Sequence, residues 1–336
     1  MALSIISRPQ PEGAPSNERC HDAGVAGLQL FDAPVPPDLR QFGDCITASA
    51  LGNPLHEPLV VLGGISANCF PSMRPDGSPG WWSELVGEGR VLDSRQYYVI
   101  GIDFAADDTG ANAPSTIDQA RILAAALDTI GVDRPISIIG ASYGGMVALA
   151  LAIAEPERVG RLAIISAAAE PHPASTAARE LQRRVVSLGV LAGRGDEALA
   201  IARGMAMLTY RTPAEFQVRF DGGIDEETAL SSSKPGAYLR ARGQAFRAVM
   251  SPGRFLSLSA SIDRHRVRPQ EIETPCLVIG AKSDQLVFAD QLRSLAERLA
   301  GTAQLYLLDS LFGHDMFLKE AQRVARIVAT SWASPK

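Results

Sequence analysis

The chain has 336 residues, 46% hydrophobic and 21% charged, with a formal net charge of −5. That balance suits a globular enzyme with a sizeable core, in one large α/β domain or two small ones, and it excludes a polybasic nucleic-acid surface, since no Lys/Arg run offsets the acidic total. Four scattered cysteines, Cys20, Cys45, Cys69 and Cys276, form no C-x-x-C and have no histidine pair beside them, so no metal site and no disulfide framework is expected, and reduced thiols in the cytoplasm are.

In chain order, residues 1–24 are rich in Pro, Gly, Ser and charge and are expected to lack fixed structure. The first nine residues carry only a brief apolar run and no basic segment, so no signal peptide is read there. No apolar stretch approaches the ~20 residues that a bilayer span needs. Short apolar, β-branched runs predict strands at 27–31, 45–50, 59–62, 97–102, 136–139, 162–166, 276–280 and 304–308. Amphipathic stretches at 117–130, 286–299 and 316–330 predict helices between and after them, and a small apolar run at 145–154 predicts another, stopped at Glu155-Pro156. This alternation predicts a doubly wound, mostly parallel sheet. From about 170 to 268 the rhythm breaks: no strand is read, only helical patterns at 181–191, 197–209, 213–221 and 235–250. Such an insertion reads as a lid over the carboxyl edge of the sheet, where these folds bind ligands. The expected organisation is a core of 25–168 and 269–336 with a helical lid at 169–268.

The strand at 136–139 runs into Gly140-Ala141-Ser142-Tyr143-Gly144, a G-x-S-x-G pentapeptide. At a sharp strand-to-helix turn the serine takes a strained conformation that lifts its hydroxyl out of the sheet, and the glycines let neighbouring backbone pass. Ser142 is therefore the candidate nucleophile of an α/β-hydrolase fold. A serine hydroxyl needs a base, and the base needs an orienting acid; in this fold they follow in the order Ser, acid, His. Of five histidines, His21 and His56 precede the serine, while His172 and His265 sit at the two ends of the lid. His314, after the last strand and before the last helix, is the candidate base. Asp284, at the end of the preceding strand, is the candidate acid; capping the next helix is its alternative role, and Asp309 is its rival. Oxyanion donors are expected from the backbone N–H of Tyr143 and from the loop Gly63-Gly64-Ile65-Ser66, through Ile65 or Gly64.

The segments Gly80-Trp81-Trp82-Ser83-Glu84-Leu85-Val86-Gly87, Leu208-Thr209-Tyr210-Arg211-Thr212-Pro213-Ala214-Glu215-Phe216, Ser261-Ile262-Asp263-Arg264-His265 and Gly313-His314-Asp315-Met316-Phe317-Leu318 resemble the homoserine O-acyltransferases of methionine biosynthesis. These are α/β-hydrolase-fold enzymes that acylate homoserine from acyl-CoA, and the resemblance runs from about residue 45 to 330, lid included. It implies a ping-pong route in which Ser142 takes the acyl group and the homoserine hydroxyl then removes it. It also implies that Arg211 and Asp315 hold the amino acid. An Arg fork suits its carboxylate and an acid suits its ammonium. Acyl-CoA would be a co-substrate, with no permanently bound cofactor, no nucleic-acid or membrane partner, and a homodimer joined through the lid. Two residues after the acid, the family tends to carry Arg when it uses succinyl and an apolar residue when it uses acetyl; Leu286 stands there, which favours acetyl. The chain departs from the pattern in having Tyr143 where Met is usual, Gly63 where many members have His, and a short passage after the fourth strand. Serine as acceptor, and an esterase or thioesterase using the same triad with water, are the competing readings.

Overall fold

Runs of β-branched and small apolar residues form nine strands: β1 (Cys20–Asp22), β2 (Leu28–Pro34), β3 (Cys45–Leu51), β4 (Glu57–Leu62), β5 (Tyr97–Ile102), β6 (Ile136–Ala141), β7 (Val159–Ile165), β8 (Cys276–Ala281) and β9 (Ala303–Leu308). The structure, a computed structural model, describes residues 20–22, 25–220 and 233–332. All eight expected strands are present. The ninth, β1, falls in the segment expected to lack fixed structure, whose residues 1–19, 23 and 24 lie outside the described residues.

The strands join one sheet in the order β1-β2-β3-β5-β4-β6-β7-β8-β9. From β1 to β5 neighbours are antiparallel; from β5 through β9 every pairing is parallel. This is the α/β-hydrolase arrangement. Helices α1 (Thr116–Ile130), α2 (Tyr143–Ala154), α3 (Pro173–Leu191), α4 (Gly195–Tyr210), α5 (Pro213–Arg219), α6 (Lys234–Phe246), α7 (Pro252–Asp263), α8 (Ala289–Arg298), α9 (Met316–Lys319) and α10 (Ala321–Trp332) complete it. The pleat sends alternate residues of each strand to opposite faces. In β4, Val60 and Leu62 join the core under α1 and α2, whereas Leu59 and Val61 join the core of Trp82 and α10. Burial on both faces is why the inner strands read as unbroken apolar runs.

Helices α3–α7 all lie between β7 and β8, and no strand occurs there among the described residues. Several boundaries differ from expectation: α3 already begins at Pro173, ahead of the stretch expected from 181, and α6 ends at Phe246, short of the expected 250. The helix expected from 286 begins at Ala289, because the Asp284 carboxylate takes the N–H groups of Leu286 and Val287 into a turn first. The helix expected over 316–330 breaks at Glu320, whose backbone leaves the helical region at φ −118° and ψ 38°. Helix α7 was not expected at all, and the last residue of the stretch expected at 213–221 lies outside the described residues.

Candidate active site

Strand β6 and helix α2 meet at Ser142, whose backbone sits at φ 55° and ψ −120°. Few side-chain-bearing residues tolerate that region, and the surroundings fix it here. The Ser142 N–H donates to the Ile165 carbonyl at 2.8 Å. Glycines on both sides are steric requirements: a Cβ on Gly140 would lie 2.4 Å from the Gly144 carbonyl oxygen, and one on Gly144 would lie 2.5 Å from Leu62 Cβ.

The structure brings the three expected triad residues together. His314 Nε2 is 2.9 Å from Ser142 Oγ, and His314 Nδ1 is 2.8 Å from Asp284 Oδ2. A neutral imidazole satisfies both contacts with Nδ1–H donating to the carboxylate and Nε2 accepting the serine proton. The acid role holds and the helix-cap alternative does not: Oδ2 meets the imidazole, while Oδ1 accepts N–H from Leu286 at 2.8 Å and Val287 at 3.1 Å in a turn ahead of α8, whose own cap position is Phe288. The rival Asp309 pairs with Lys282 at the surface instead. His314 is 5% exposed and Asp284 3%. Burial works to lower the imidazole's pKa, but the charge and hydrogen bond of Asp284, then the charge of Asp315, outweigh it and a smaller opposing push from Arg179. The net shift is upward.

The loop bearing His314 is braced on two sides. Tyr210, at the end of α4, stacks on the imidazole at 5.5 Å and 24°, and Phe317 meets it edge-on at 6.3 Å. Trp82 Nε1 donates to the Phe317 carbonyl at 3.1 Å and its ring stacks on Trp81. The tryptophan pair thus holds the loop from behind and does not line the cleft. The residue reading gave Tyr210 no role, because stacking between α4 and a loop a hundred positions away leaves no local pattern.

Tyr143 occupies the first position of α2, where no earlier turn supplies an acceptor for its N–H. The loop after β4 docks beside it: Gly144 N–H donates to the Gly63 carbonyl at 2.8 Å, and a Cβ on Gly64 would lie 4.0 Å from Ser142 Oγ. Ile65 follows directly, half-buried against the core. The Tyr143 side chain is buried, its hydroxyl 2.5 Å from Ser261 Oγ and its ring edge-on to Phe104.

A cleft with about 580 Å³ of atom-free space, open mouth included, lies over Ser142 and His314. Its walls include Tyr143 and Met146 from α2, Leu286 and Val287 from the turn after β8, and Arg179 and Gln182 from α3. Leu286 is buried. Arg211 and Asp315 are together but not on this wall: Arg211 Nη2 is 3.2 Å from Asp315 Oδ2, and its Nη1 is 2.6 Å from Glu215 Oε1. Arg211 Nε and Glu215 Oε2 are buried and make no hydrogen bond among the described residues. Arg179 and Gln182 on the cleft wall, and Glu215 beside Arg211, are residues to which the sequence alone assigns no role. The two on the cleft wall share one face of α3, upstream of and at the start of the stretch expected to be helical. Among the described residues no His/Cys/Asp/Glu cluster could hold a metal ion, and no helix is long and apolar enough to cross a membrane.

Residues 57–321 match the family described as alpha/beta hydrolase fold. The chain is 39% identical to a homoserine O-succinyltransferase of Xanthomonas campestris pv. campestris, over 81% of this chain and 74% of that one. It is 32% identical to a homoserine O-acetyltransferase of Thermus thermophilus, over 80% and 77%. Its fold superposes on a homoserine O-acetyltransferase of Bacillus anthracis with a TM-score of 0.76 at 16% identity, over 90% and 91%.

Proposed function

We propose an acyl-transfer reaction for this chain, which belongs to the homoserine O-acyltransferase family of α/β-hydrolase-fold enzymes. In the proposed reaction a short acyl group moves from acyl-CoA to the side-chain hydroxyl of L-homoserine. The observation that carries it is the relay Ser142–His314–Asp284 at 2.9 and 2.8 Å beneath a lid-covered cleft. His314 Nε2 removes the Ser142 proton as Oγ attacks the thioester carbonyl. The C–S bond then breaks, and the imidazolium gives its proton to the departing CoA sulfur, so that CoA leaves as the thiol and His314 is neutral again. In the second half, His314 takes the proton of the homoserine hydroxyl, the new oxygen attacks the acyl-serine, and Ser142 Oγ recovers the proton as it departs. The N–H of Tyr143 and one from Gly64 or Ile65 would stabilise each tetrahedral oxyanion, an interaction of ~3 kcal/mol per donor.

For the acceptor, the Arg211–Asp315 pair offers a place beside the base. A zwitterion that separates them exchanges one internal ion pair for two new ones: carboxylate to Arg211 and ammonium to Asp315. The unpartnered Arg211 Nε leaves room in that exchange for a second hydrogen bond to the carboxylate. Transfer is favoured over hydrolysis when the lid excludes water and holds the acceptor in place. In this reading the enzyme belongs to methionine biosynthesis, with acyl-CoA as co-substrate.

The test is intact-protein mass after brief exposure to acetyl-CoA or succinyl-CoA, followed by product analysis with and without homoserine. An acyl adduct that Ser142→Ala abolishes, with an almost unchanged thermal transition, and O-acylhomoserine as product are expected. Free acid accumulating at a rate independent of homoserine would replace the reading with a hydrolase. Serine is the competing acceptor, shorter by one methylene and so discriminated by only ~1–3 kcal/mol in a pocket.

A further inference from the structure

Two guanidiniums in the lid share one carboxylate, and one of the two lines the cleft over the reacting serine. Asp263, at the end of α7, receives Arg179 Nε at 2.8 Å and Nη2 at 2.6 Å on Oδ1, and Arg183 Nη1 at 2.6 Å on Oδ2. Arg183 is completed by the carbonyl and hydroxyl of Ser259. The acidic group on the cleft wall, Glu170, has its own partner in Arg266 at 3.2 Å. Asp263 therefore balances only one of its two guanidiniums, and of the two arginines it is Arg179 that lines the cleft. Arg179 is only 12% exposed, yet its Nη1 makes no hydrogen bond among the described residues and is not sealed off. Its charge reaches the catalytic imidazole, whose protonation it opposes.

Gln182 stands one turn further along α3 and lines the same cleft. It is 5% exposed, and its amide has no hydrogen-bond partner among the described residues although neither polar atom is closed to solvent. A buried, anchored guanidinium with an unspent N–H beside a free carboxamide is a set of donors with no acceptor. The acceptor that fits a planar, charge-assisted fork is a carboxylate.

We propose that Arg179 and Gln182 form a subsite for the distal carboxylate of a dicarboxylic acyl group, of which succinyl is the type, carried on Ser142. The proposal rests on the acyl-transfer reading and deepens it. Of the two substrates, homoserine already has a place for each of its charges at the Arg211–Asp315 pair; the excess charge at Arg179 lies on a different wall. Leu286, the apolar residue that favoured acetyl in the sequence, lines the cleft with Arg179, so a cation from α3 can serve where the turn after β8 supplies none. Holding Arg179 on Asp263 spares most of the rotamer entropy that a free arginine would lose on gripping the ligand.

The experiment compares wild type, Arg179→Lys, Arg179→Leu and Gln182→Leu with succinyl-CoA and acetyl-CoA, measuring acyl-enzyme formation by mass, kcat/KM for each donor, KM for homoserine and the thermal midpoint. Wild type is expected to prefer succinyl-CoA. Arg179→Leu should reduce kcat/KM for succinyl-CoA by roughly 100-fold and Gln182→Leu by roughly 10-fold, with the loss for acetyl-CoA much the smaller in each variant and Arg179→Lys recovering part of the succinyl loss. Gln182→Leu leaves the Asp263 pairings intact, so it remains informative if Arg179→Leu fails to fold. Matched losses with both donors, carried by KM for homoserine, would overturn the acyl assignment and give the subsite to the acceptor's carboxylate. Unchanged donor preference in both variants would overturn the subsite itself. Absence of O-acylhomoserine from wild type would instead remove the acyl-transfer reading beneath it.

Discussion

His314 shows how neighbouring charge sets the working range of a buried base. Removal from water disfavours its protonated form, yet Asp284 and Asp315 favour it more, so its pKa is raised above the ordinary ~6.5. The base acts when neutral, so activity is lost as pH falls through that raised value. The acid limb of the kcat/KM profile is therefore expected above pH 6.5, and Asp284→Asn should lower it while reducing kcat by roughly four orders of magnitude. A limb at or below 6.5 in the wild type would contradict the electrostatic account. The stability linkage runs the opposite way: the charged pairing strengthens the fold below the unfolded value and fades as pH rises through the folded one. The identities of Ser142, His314 and Asp284 were legible from motif and chain order, because a strand end fixes where its next side chain points. The role of Glu215 was not, since a carboxylate within one helical turn of an arginine usually marks a solvated face; here both are at most 6% exposed.

Helix α7 illustrates the limit at the scale of elements. Ser251–Asp263 contains the cap Ser251 and three serines within the helix, and serine competes with helical backbone for hydrogen bonds. In the folded protein those hydroxyls turn outward: Ser257 accepts from Asp107 N–H, Ser259 from Arg183, and Ser261 meets Tyr143. Ser251 caps the helix and Pro252 starts it. Just beyond, His265 ties the end of the lid to the core, with Nε2–H donating to the Ala168 carbonyl at 3.0 Å and Nδ1 accepting from Thr116 Oγ1 at 2.8 Å. Burial drives its pKa down to about 4, against a smaller upward pull from the Ala168 carbonyl. An unfolded histidine takes its proton near pH 6.5, so this latch stabilises fully above that value and loses its contribution as pH falls toward 4, by at most about 3 kcal/mol. Urea unfolding from pH 7 to 4 should show a shallower decline for His265→Gln than for wild type. Equal slopes would mean that His265 titrates normally.

Across the whole molecule, the lid carries apolar side chains that no other described residue covers. Leu188 is 65% exposed, Leu191 84% and Ile201 59%, on neighbouring helices α3 and α4. We propose that these helices form a homodimer surface, since large apolar side chains exposed on two packed helices suit an association site. Leu188→Glu combined with Leu191→Glu should convert a dimer to a monomer in sedimentation velocity at micromolar concentration. A wild-type chain that sediments as a monomer would end the proposal.

By itself the sequence determined the sheet, the nucleophile turn and the order of the triad. Each is a local pattern, in apolar runs of strand length, in glycines that let backbone pass, and in polar residues at strand ends. Tertiary structure alone decided which charges were already satisfied. Asp263 gathers two arginines, Arg211 is held between two carboxylates, and Arg179 keeps a donor without an acceptor, because each partner comes from a helix or loop far along the chain. Charge balance in a cleft depends on those long-range meetings, and no periodicity along the chain records them.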